Sequence, residues 1–316
     1  MEEEIDVSGI QAEAVAKSQP KQIKKKFLNG KSIAISVSEN EDLEKLGFTV
    51  QHLNDITIEI ARHIIANDGK TLYGGDLRQN GFTTLFSELS NQYKRINDDT
   101  SGFSNYFVFP NSKQLTRSAR IHFLSKNIEI HEVEDPKGLS IDYNRMYDPK
   151  TNIEHRYVYS ECFKEMRIQM AKDCTARVLV GGKITNYLGY IPGVIEEALH
   201  TLKENKPLYL VGAFGGATEK LIKLVKGEAV KELTNDFQYN TDFLNEFKDH
   251  VCSKCDYTDY DLLKTELSKF DLKKISDLNG LSIEENEILF SSKNIHQIIY
   301  LIIKGLSSIN KDDTHF

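Results

Sequence analysis

The spacing of apolar and polar residues predicts alternating strands and helices from residue 32 onward. A short apolar run at 33–37, closed by serines, is typical of a buried strand. Residues 54–67 place isoleucines on one helical face, and Asn54 or Asp55 is the expected cap. This first unit continues with a predicted strand at 70–73, a glycine loop at 74–81 and a helix over about 82–94. The order predicts a βαβ unit and therefore a parallel sheet.

The second half of the chain repeats this order of elements. The pattern predicts further strands at 105–109, 128–133, 177–180 and 208–211, and helices over 154–173, 194–204 and 218–226. Glycine clusters follow the predicted strands at 70–73, 177–180 and 208–211, at the edge where doubly wound sheets bind ligands. The predicted fold class is therefore α/β, with a Rossmann-like, doubly wound, mainly parallel sheet and helices on both faces.

The composition of the chain changes towards its two ends. From about residue 235 the glycines thin out and the apolar spacing becomes helical. We predict a polar N-terminal extension at 1–30, a ligand-binding sheet domain at 31–232, and a helical C-terminal addition at 233–316 packed on the sheet domain.

The charge balance narrows the classes of partner. The 316 residues include 40 Lys and Arg against 47 Asp and Glu, so the formal net charge is −7. Nucleic-acid affinity comes mainly from clustered Lys and Arg, which disfavours a nucleic-acid partner. No run of about 18 apolar residues occurs, and the N-terminus lacks an apolar core. We therefore expect neither a membrane span nor a signal peptide, and a cytoplasmic location.

The four cysteines agree with a reducing compartment. Cys252 and Cys255 form a single CxxC, and zinc needs four ligands, so two ordinary thiols are favoured over a metal or redox role. No Ser/His/Asp or Cys/His catalytic set can be recognised along the chain. We expect no metal site and no cofactor.

The first candidate site is the loop after the strand at 70–73, which reads YGGDLRQNGFT from Tyr73. Two glycines directly after a buried strand let backbone N–H groups approach an anion, and the next helix directs its positive end to the same space. Arg78 would add a bidentate contact to a phosphate. The alternative is a tight turn without a ligand, since the loop matches neither GxGxxG nor GxxxxGK[ST].

The second candidate site is the glycine-rich loop after the strand at 177–180. Gly193 opens the next helix, and Glu196 and Glu197 follow in about its first turn. A carboxylate there either complements the helix dipole or faces a ligand, where it would bind ribose hydroxyls or stabilise an oxocarbenium-like transition state. Arg167, on the preceding helix, points either to this pocket or to solvent.

Together these motifs resemble the SLOG superfamily, which unites DNA-processing Smf/DprA-type proteins with the LOG nucleotide phosphoribohydrolases. The resemblance covers about residues 32–227 and is carried by TLYGGDLRQNGFTTLF (71–86), FKEMRIQMAKDCTARVLVGG (163–182) and GYIPGVIEEAL (189–199). It implies that Arg167 matches the LOG catalytic arginine and that Glu196 or Glu197 matches the glutamate of the glycine motif. The glycines that match phosphate-cradling positions are Gly74, Gly75, Gly181 and Gly182.

The second loop departs from the compact PGGxGTxxE of LOG proteins, because residues 183–190 separate Gly182 from the Pro-Gly-x-x-Glu-Glu stretch. The departure falls in the catalytic motif, which favours binding over cleavage. The chain looks closer to the SLOG domains of bacterial defence systems, which sense NAD-derived or nucleotide signals. The resemblance thus implies an antiviral signalling role, a homo-oligomer and a separate effector protein as partner.

The function expected from this resemblance is binding of a small phosphorylated, nucleotide-derived ligand. The alternative is a LOG-like N-glycosidase, with Arg167, Glu196 and Glu197 as catalytic residues. A DNA-handling role is disfavoured by the charge. The residues expected to bind the ligand are Ser36, Ser38, Gly74, Gly75, Asp76, Arg78, Gly81, Thr83, Arg167, Gly181, Gly182, Lys183, Gly193, Glu197, Gly215 and Gly216.

Overall fold

Within residues 26–75, 81–94 and 101–312, which the computed structural model describes, six parallel strands form one sheet. The strands are β1 (Ser32–Ser38), β2 (Lys70–Gly74), β3 (Phe103–Phe107), β4 (Ile128–Glu132), β5 (Ala176–Gly181) and β6 (Leu208–Val211). Their order across the sheet is β4-β3-β2-β1-β5-β6. Strands this apolar are expected in a sheet that is covered on both faces.

The helices cover both faces of the sheet. They are α1 (Val50–Ala66), α2 (Phe82–Gln92), α3 (Arg117–Ser125), α4 (Ile153–Asp173), α5 (Gly193–Lys203), α6 (Gly216–Val225), α7 (Asn235–Gln238), α8 (Asp242–Val251), α9 (Tyr260–Leu267), α10 (Leu272–Asn279), α11 (Ile283–Ser291) and α12 (Ile295–Asp312). Alternate residues of β1 belong to different cores: Ile33 and Ile35 pack with α1, whereas Ala34 packs with α4. The predicted doubly wound α/β fold is confirmed.

The chain reverses its direction across the sheet at β1. It first builds β2, β3 and β4 on one side of β1, and α4 then returns it to β5 on the other side. The loops after β1 and β5 therefore leave the sheet towards opposite faces. This topological switch point is the place where open α/β sheets form their ligand crevice.

The C-terminal helices pack on the sheet domain. The Asn279 side-chain amide at the end of α10 donates to the carbonyl oxygen of Leu208 (3.0 Å), and the Tyr209 hydroxyl donates to the Asn279 carbonyl (2.9 Å). α10 and α11 thus cover the edge strand β6, while α12 packs on α1. No helix in the described ranges has both the length and the apolar character needed to cross a bilayer.

Two predicted boundaries are wrong. α1 begins at Val50, so Asn54 and Asp55 lie inside the helix; the N-cap is Thr49, whose N–H donates to Nδ1 of His52 (3.0 Å). The extra turn is held by Leu53, which is completely buried. The strand predicted at 105–109 begins at Phe103, because that residue pairs with Thr71 of β2.

Candidate ligand-binding site

A cavity of about 430 Å³ lies at the switch point, between the loops after β1 and β5 and the start of α6. We call it the switch-point pocket. Its charged lining residues are Glu39, Glu41, Asp42, Lys45, Lys183, Lys220 and Glu232. Its volume is within the range of small-molecule sites, about 300–1,000 Å³.

Two glycine pairs bring the loops after β5 and β6 into contact beside this pocket. Gly216 has a φ of +65°, and a Cβ there would lie 2.3 Å from the carbonyl oxygen of Gly182. That same carbonyl accepts a hydrogen bond from the Ala217 N–H (2.8 Å). The neighbouring Gly181 and Gly215 also have positive φ. These glycines therefore allow a loop-to-loop contact that a side chain would prevent.

The N-terminus of α6 already faces a carboxylate. The Gly216 N–H donates to Oδ2 of Asp42 (3.1 Å), and the Lys220 ammonium lies 3.6 Å from the same oxygen. Partial burial raises the pKa of Asp42, but the Gly216 N–H and Lys220 outweigh it and hold the pKa below its ordinary value. This helix end is thus neutralised by the chain itself.

Lys183 is the lysine of the pocket that is most available to a ligand. Its side chain is exposed, and its backbone N–H donates to Oγ of Ser38 (3.0 Å), which fixes the start of the loop. Among the described residues, no carboxylate lies within 4 Å of its ammonium, whereas Lys220 contacts Glu219, Asp42 and Glu232.

A buried group of charges lies between α4, α5 and the sheet; we call Ser36, Arg167, Arg177, Glu196 and Glu197 the Arg–Glu cluster. Arg177 is completely buried, and its Nη1 lies 2.6 Å from Oε2 of Glu197 and donates to Oγ of Ser36 (2.8 Å). The Ser36 hydroxyl donates to the same Glu197 oxygen. Arg167 contacts Glu196 directly and approaches Glu197 at 3.8 Å.

Both glutamates therefore have cationic partners. Glu196 is fully buried, and the Tyr257 hydroxyl donates to its Oε1 (2.8 Å). Burial raises the pKa of Glu196 above its ordinary value, although Arg167 opposes the shift. Burial, with Lys203 nearby, also lowers the pKa of His200 to about 3, so this neighbour is neutral at pH 7.

Two glycines make room for the Arg167 guanidinium. A Cβ at Gly193 would lie 2.6 Å from Nη2 of Arg167, and a Cβ at Gly189 would lie 2.7 Å from Nη1. Arg167 thus packs against the N-terminal turn of α5 and the loop before it. The same loop is fixed by Arg156, which donates to the carbonyl oxygen of Tyr187 (2.8 Å).

The first glycine loop has a structural role that the described residues make plain. The Gly75 N–H donates to the Tyr106 carbonyl (2.6 Å), and a Cβ at Gly75 would lie 2.5 Å from the Phe107 ring. Gly74 packs against Met166 of α4. Gly81 is the N-cap of α2, and the Thr83 hydroxyl accepts from the Asn105 amide. Asp76 and Arg78 lie outside the described residues.

The structure distributes the predicted ligand residues over three places. Lys183 and Gly216 line the switch-point pocket, with Ser38, Gly181, Gly182 and Gly215 in its supporting loops. Ser36, Arg167, Gly193 and Glu197 belong to or contact the Arg–Glu cluster, and Gly74, Gly75, Gly81 and Thr83 to the β2–α2 connection.

Sequence reasoning missed Arg177, Lys220 and Tyr257. Arg177 had a usable signal, since an arginine inside a buried strand almost always has a partner. Tyr257 had none, because it comes from the C-terminal helical part and meets Glu196 across 61 residues of sequence.

The fold and the pocket define a Rossmann-like α/β protein with a ligand-sized crevice at its topological switch point. The chain belongs to the SLOG cluster2 family, whose family model matches residues 27–289. The predicted SLOG membership is confirmed. The match continues past residue 233, so the segment that carries Tyr257 is part of the family pattern. A comparison with curated proteins gives no match.

Proposed function

We propose that the chain binds a small phosphorylated, nucleotide-derived ligand in the switch-point pocket. The observation that supports this most is the mixture of groups there: Lys183 supplies an ammonium that no carboxylate of the described residues contacts, while Glu39 and Glu41 supply carboxylates. A ribose phosphate needs both, because ammoniums bind phosphate oxygens and carboxylates accept from ribose hydroxyls. Membership of the SLOG cluster2 family agrees with this ligand class.

The Arg–Glu cluster supports binding rather than turnover. A second candidate, N-glycosidic cleavage, is favoured by one observation, namely that Arg167 meets both Glu196 and Glu197. However, each carboxylate already pairs with a guanidinium, and Glu196 also accepts from Tyr257. A carboxylate whose oxygens already accept from these donors has fewer lone pairs left for an attacking water or for a developing oxocarbenium ion.

The proposed biological role is signal recognition in a bacterial defence system, in the cytoplasm. The ligand would be an NAD-derived or cyclic nucleotide signal. A signal-binding protein needs an output. The bound chain would therefore respond through self-assembly or through a separate effector protein.

Replacing Lys183 by alanine is expected to weaken ligand binding about tenfold, because one charge-assisted hydrogen bond to phosphate is lost. Isothermal titration with ADP-ribose, cyclic ADP-ribose isomers and cyclic dinucleotides measures this. Lys274→Ala is the matched control, since Lys274 is exposed on α10 and does not line the pocket.

The same samples, separated by chromatography after titration, distinguish binding from cleavage. We expect the ligand to be recovered intact. Free base whose release is abolished by Glu197→Gln would favour the N-glycosidase instead, and no heat with any of these ligands would contradict both functions.

A further inference from the structure

A second cavity, of about 490 Å³, lies between α4, α5 and the segment that leads into α9. We call it the lysine cavity, because Lys164, Lys203 and Lys254 line it together with Tyr257, Asp256 and Glu266. None of its lining residues lines the switch-point pocket. Three lysines from three separate segments thus meet in one cavity of a chain whose net charge is −7.

Two of these ammoniums contact aromatic rings rather than carboxylates, and that of Lys254 also lies 2.9 Å from Nε2 of His250. The Lys254 ammonium lies 3.9 Å from the ring centroid of Tyr157, and that of Lys203 lies 5.8 Å from the centroid of Tyr257. In the part of the chain that the structure describes, neither has a carboxylate within 4 Å. Cation–π contacts position an ammonium without neutralising it, so both charges stay available to an anion.

The acidic groups of the cavity offset these charges only in part. Lys164 pairs with Glu161 (2.5 Å), and Glu266 pairs with Lys269, which follows the end of α9. With Lys164 and Glu266 each paired in this way, Asp256 is, among the described lining residues, the one carboxylate left to offset the other two lysines, so the lining keeps an excess of positive charge. The cavity is large enough for a diphosphate group, whose oxygens accept well from ammoniums.

Tyr257 connects this cavity to the Arg–Glu cluster. It lines the cavity, and its hydroxyl donates to Glu196, whose other oxygen binds Arg167. The positive charge of Lys164 also lowers the pKa of Glu196 against the larger effect of burial. An anion bound among the lysines would offset part of their positive potential at Glu196. The ionised form of Glu196, which pairs with Arg167, would then be less favoured.

We propose that the lysine cavity binds a small phosphate-bearing anion and that Tyr257 transmits its presence through Glu196 to Arg167. This second site is separate from the switch-point pocket, so the two sites can be tested independently. It gives the chain a means to adjust the loop before α5 when the anion is present.

The binding part is tested by isothermal titration of the full chain with inorganic pyrophosphate. We expect Lys203→Gln combined with Lys254→Gln to weaken binding at least tenfold while the protein stays folded, because only cation–π contacts and the Lys254–His250 contact are lost and neither side chain forms a salt bridge in the described structure. Lys274→Ala is the control and is expected to leave pyrophosphate binding intact, because Lys274 is exposed on α10 and lines neither cavity. Equal affinities for the wild type and the double variant, or an equal loss in Lys274→Ala, would overturn the proposal.

The coupling part is tested by hydrogen exchange of the amides at 189–196. Pyrophosphate is expected to change their exchange in the wild type. Tyr257→Phe keeps the ring and the lysines but lacks the donor to Glu196, so it is expected to bind pyrophosphate with no such change. An identical exchange response in both proteins would show that Tyr257 carries no signal.

Discussion

Arg177→Met is expected to lower the free energy of unfolding by about 3–5 kcal/mol, which is the usual cost of removing one partner of a buried ion pair. The Arg177 side chain is completely buried and holds Glu197, Ser36 and Thr201 through its guanidinium. Methionine has a similar length but leaves the Glu197 carboxylate without its closest cation, since Arg167 remains 3.8 Å away. Urea unfolding followed by circular dichroism measures the change.

A double-mutant cycle separates the unpaired charge from lost packing. Arg177→Met combined with Glu197→Gln removes both charges, so we expect this variant to be more stable than Arg177→Met alone. If the two substitutions instead destabilise the fold additively, or if Arg177→Met costs less than about 1 kcal/mol, the cluster is not the buried ion network described above.

Gly216→Ala is expected to destabilise the fold by at least about 3 kcal/mol and to abolish ligand binding. The left-handed backbone conformation accounts for about 1 kcal/mol of this. The rest comes from the Cβ, which would lie 2.3 Å from the Gly182 carbonyl oxygen and 2.9 Å from the Cβ of Asn40. The new Cβ would lie between the Gly182 backbone and the side chain of Asn40. It can be accommodated only if the loops that carry these residues move apart.

Gly227→Ala is the matched control for this substitution. Gly227 has a φ of +78°, close to that of Gly216, but nothing lies within 4 Å of a Cβ built there. The control is expected to cost only the conformational part, about 1 kcal/mol, and to bind ligand normally. Equal losses in the two variants, measured by thermal unfolding and titration, would mean that the contact between the loops after β5 and β6 does not matter.

The fold could be predicted from the sequence because its evidence is local. Buried strands followed by amphipathic helices are visible within windows of about 10–15 residues, and the glycine clusters mark the strand ends. The boundary errors at α1 and β3 have a common cause. The polar residues Gln51, His52, Ser104 and Asn105 interrupt the apolar pattern, while Leu53 and Phe103 hold the element ends in place by tertiary packing.

The site was predictable only where its residues follow strands directly. Lys183 and Gly216 come straight after a glycine, so the glycine motifs indicate them as candidates. Lys220 and Asp42 line the pocket together only because α6 packs beside the loop after β1. The two residues are far apart in the sequence, so no local pattern links them. The glycine clusters indicate phosphate contacts when they are considered in the sequence alone. In the structure several of these glycines allow close packing, as Gly75 does against Phe107.

The central claim is that the ligand occupies the switch-point pocket. A crystal structure of the full chain grown with ADP-ribose, or with whichever ligand of the titration panel binds most tightly, tests it most directly. We expect a phosphate oxygen within hydrogen-bonding distance of the Lys183 ammonium and a ribose hydroxyl facing Glu39 or Glu41. A ligand bound between the loop after β2 and Arg167, with the pocket beside Lys183 left empty, would contradict the claim.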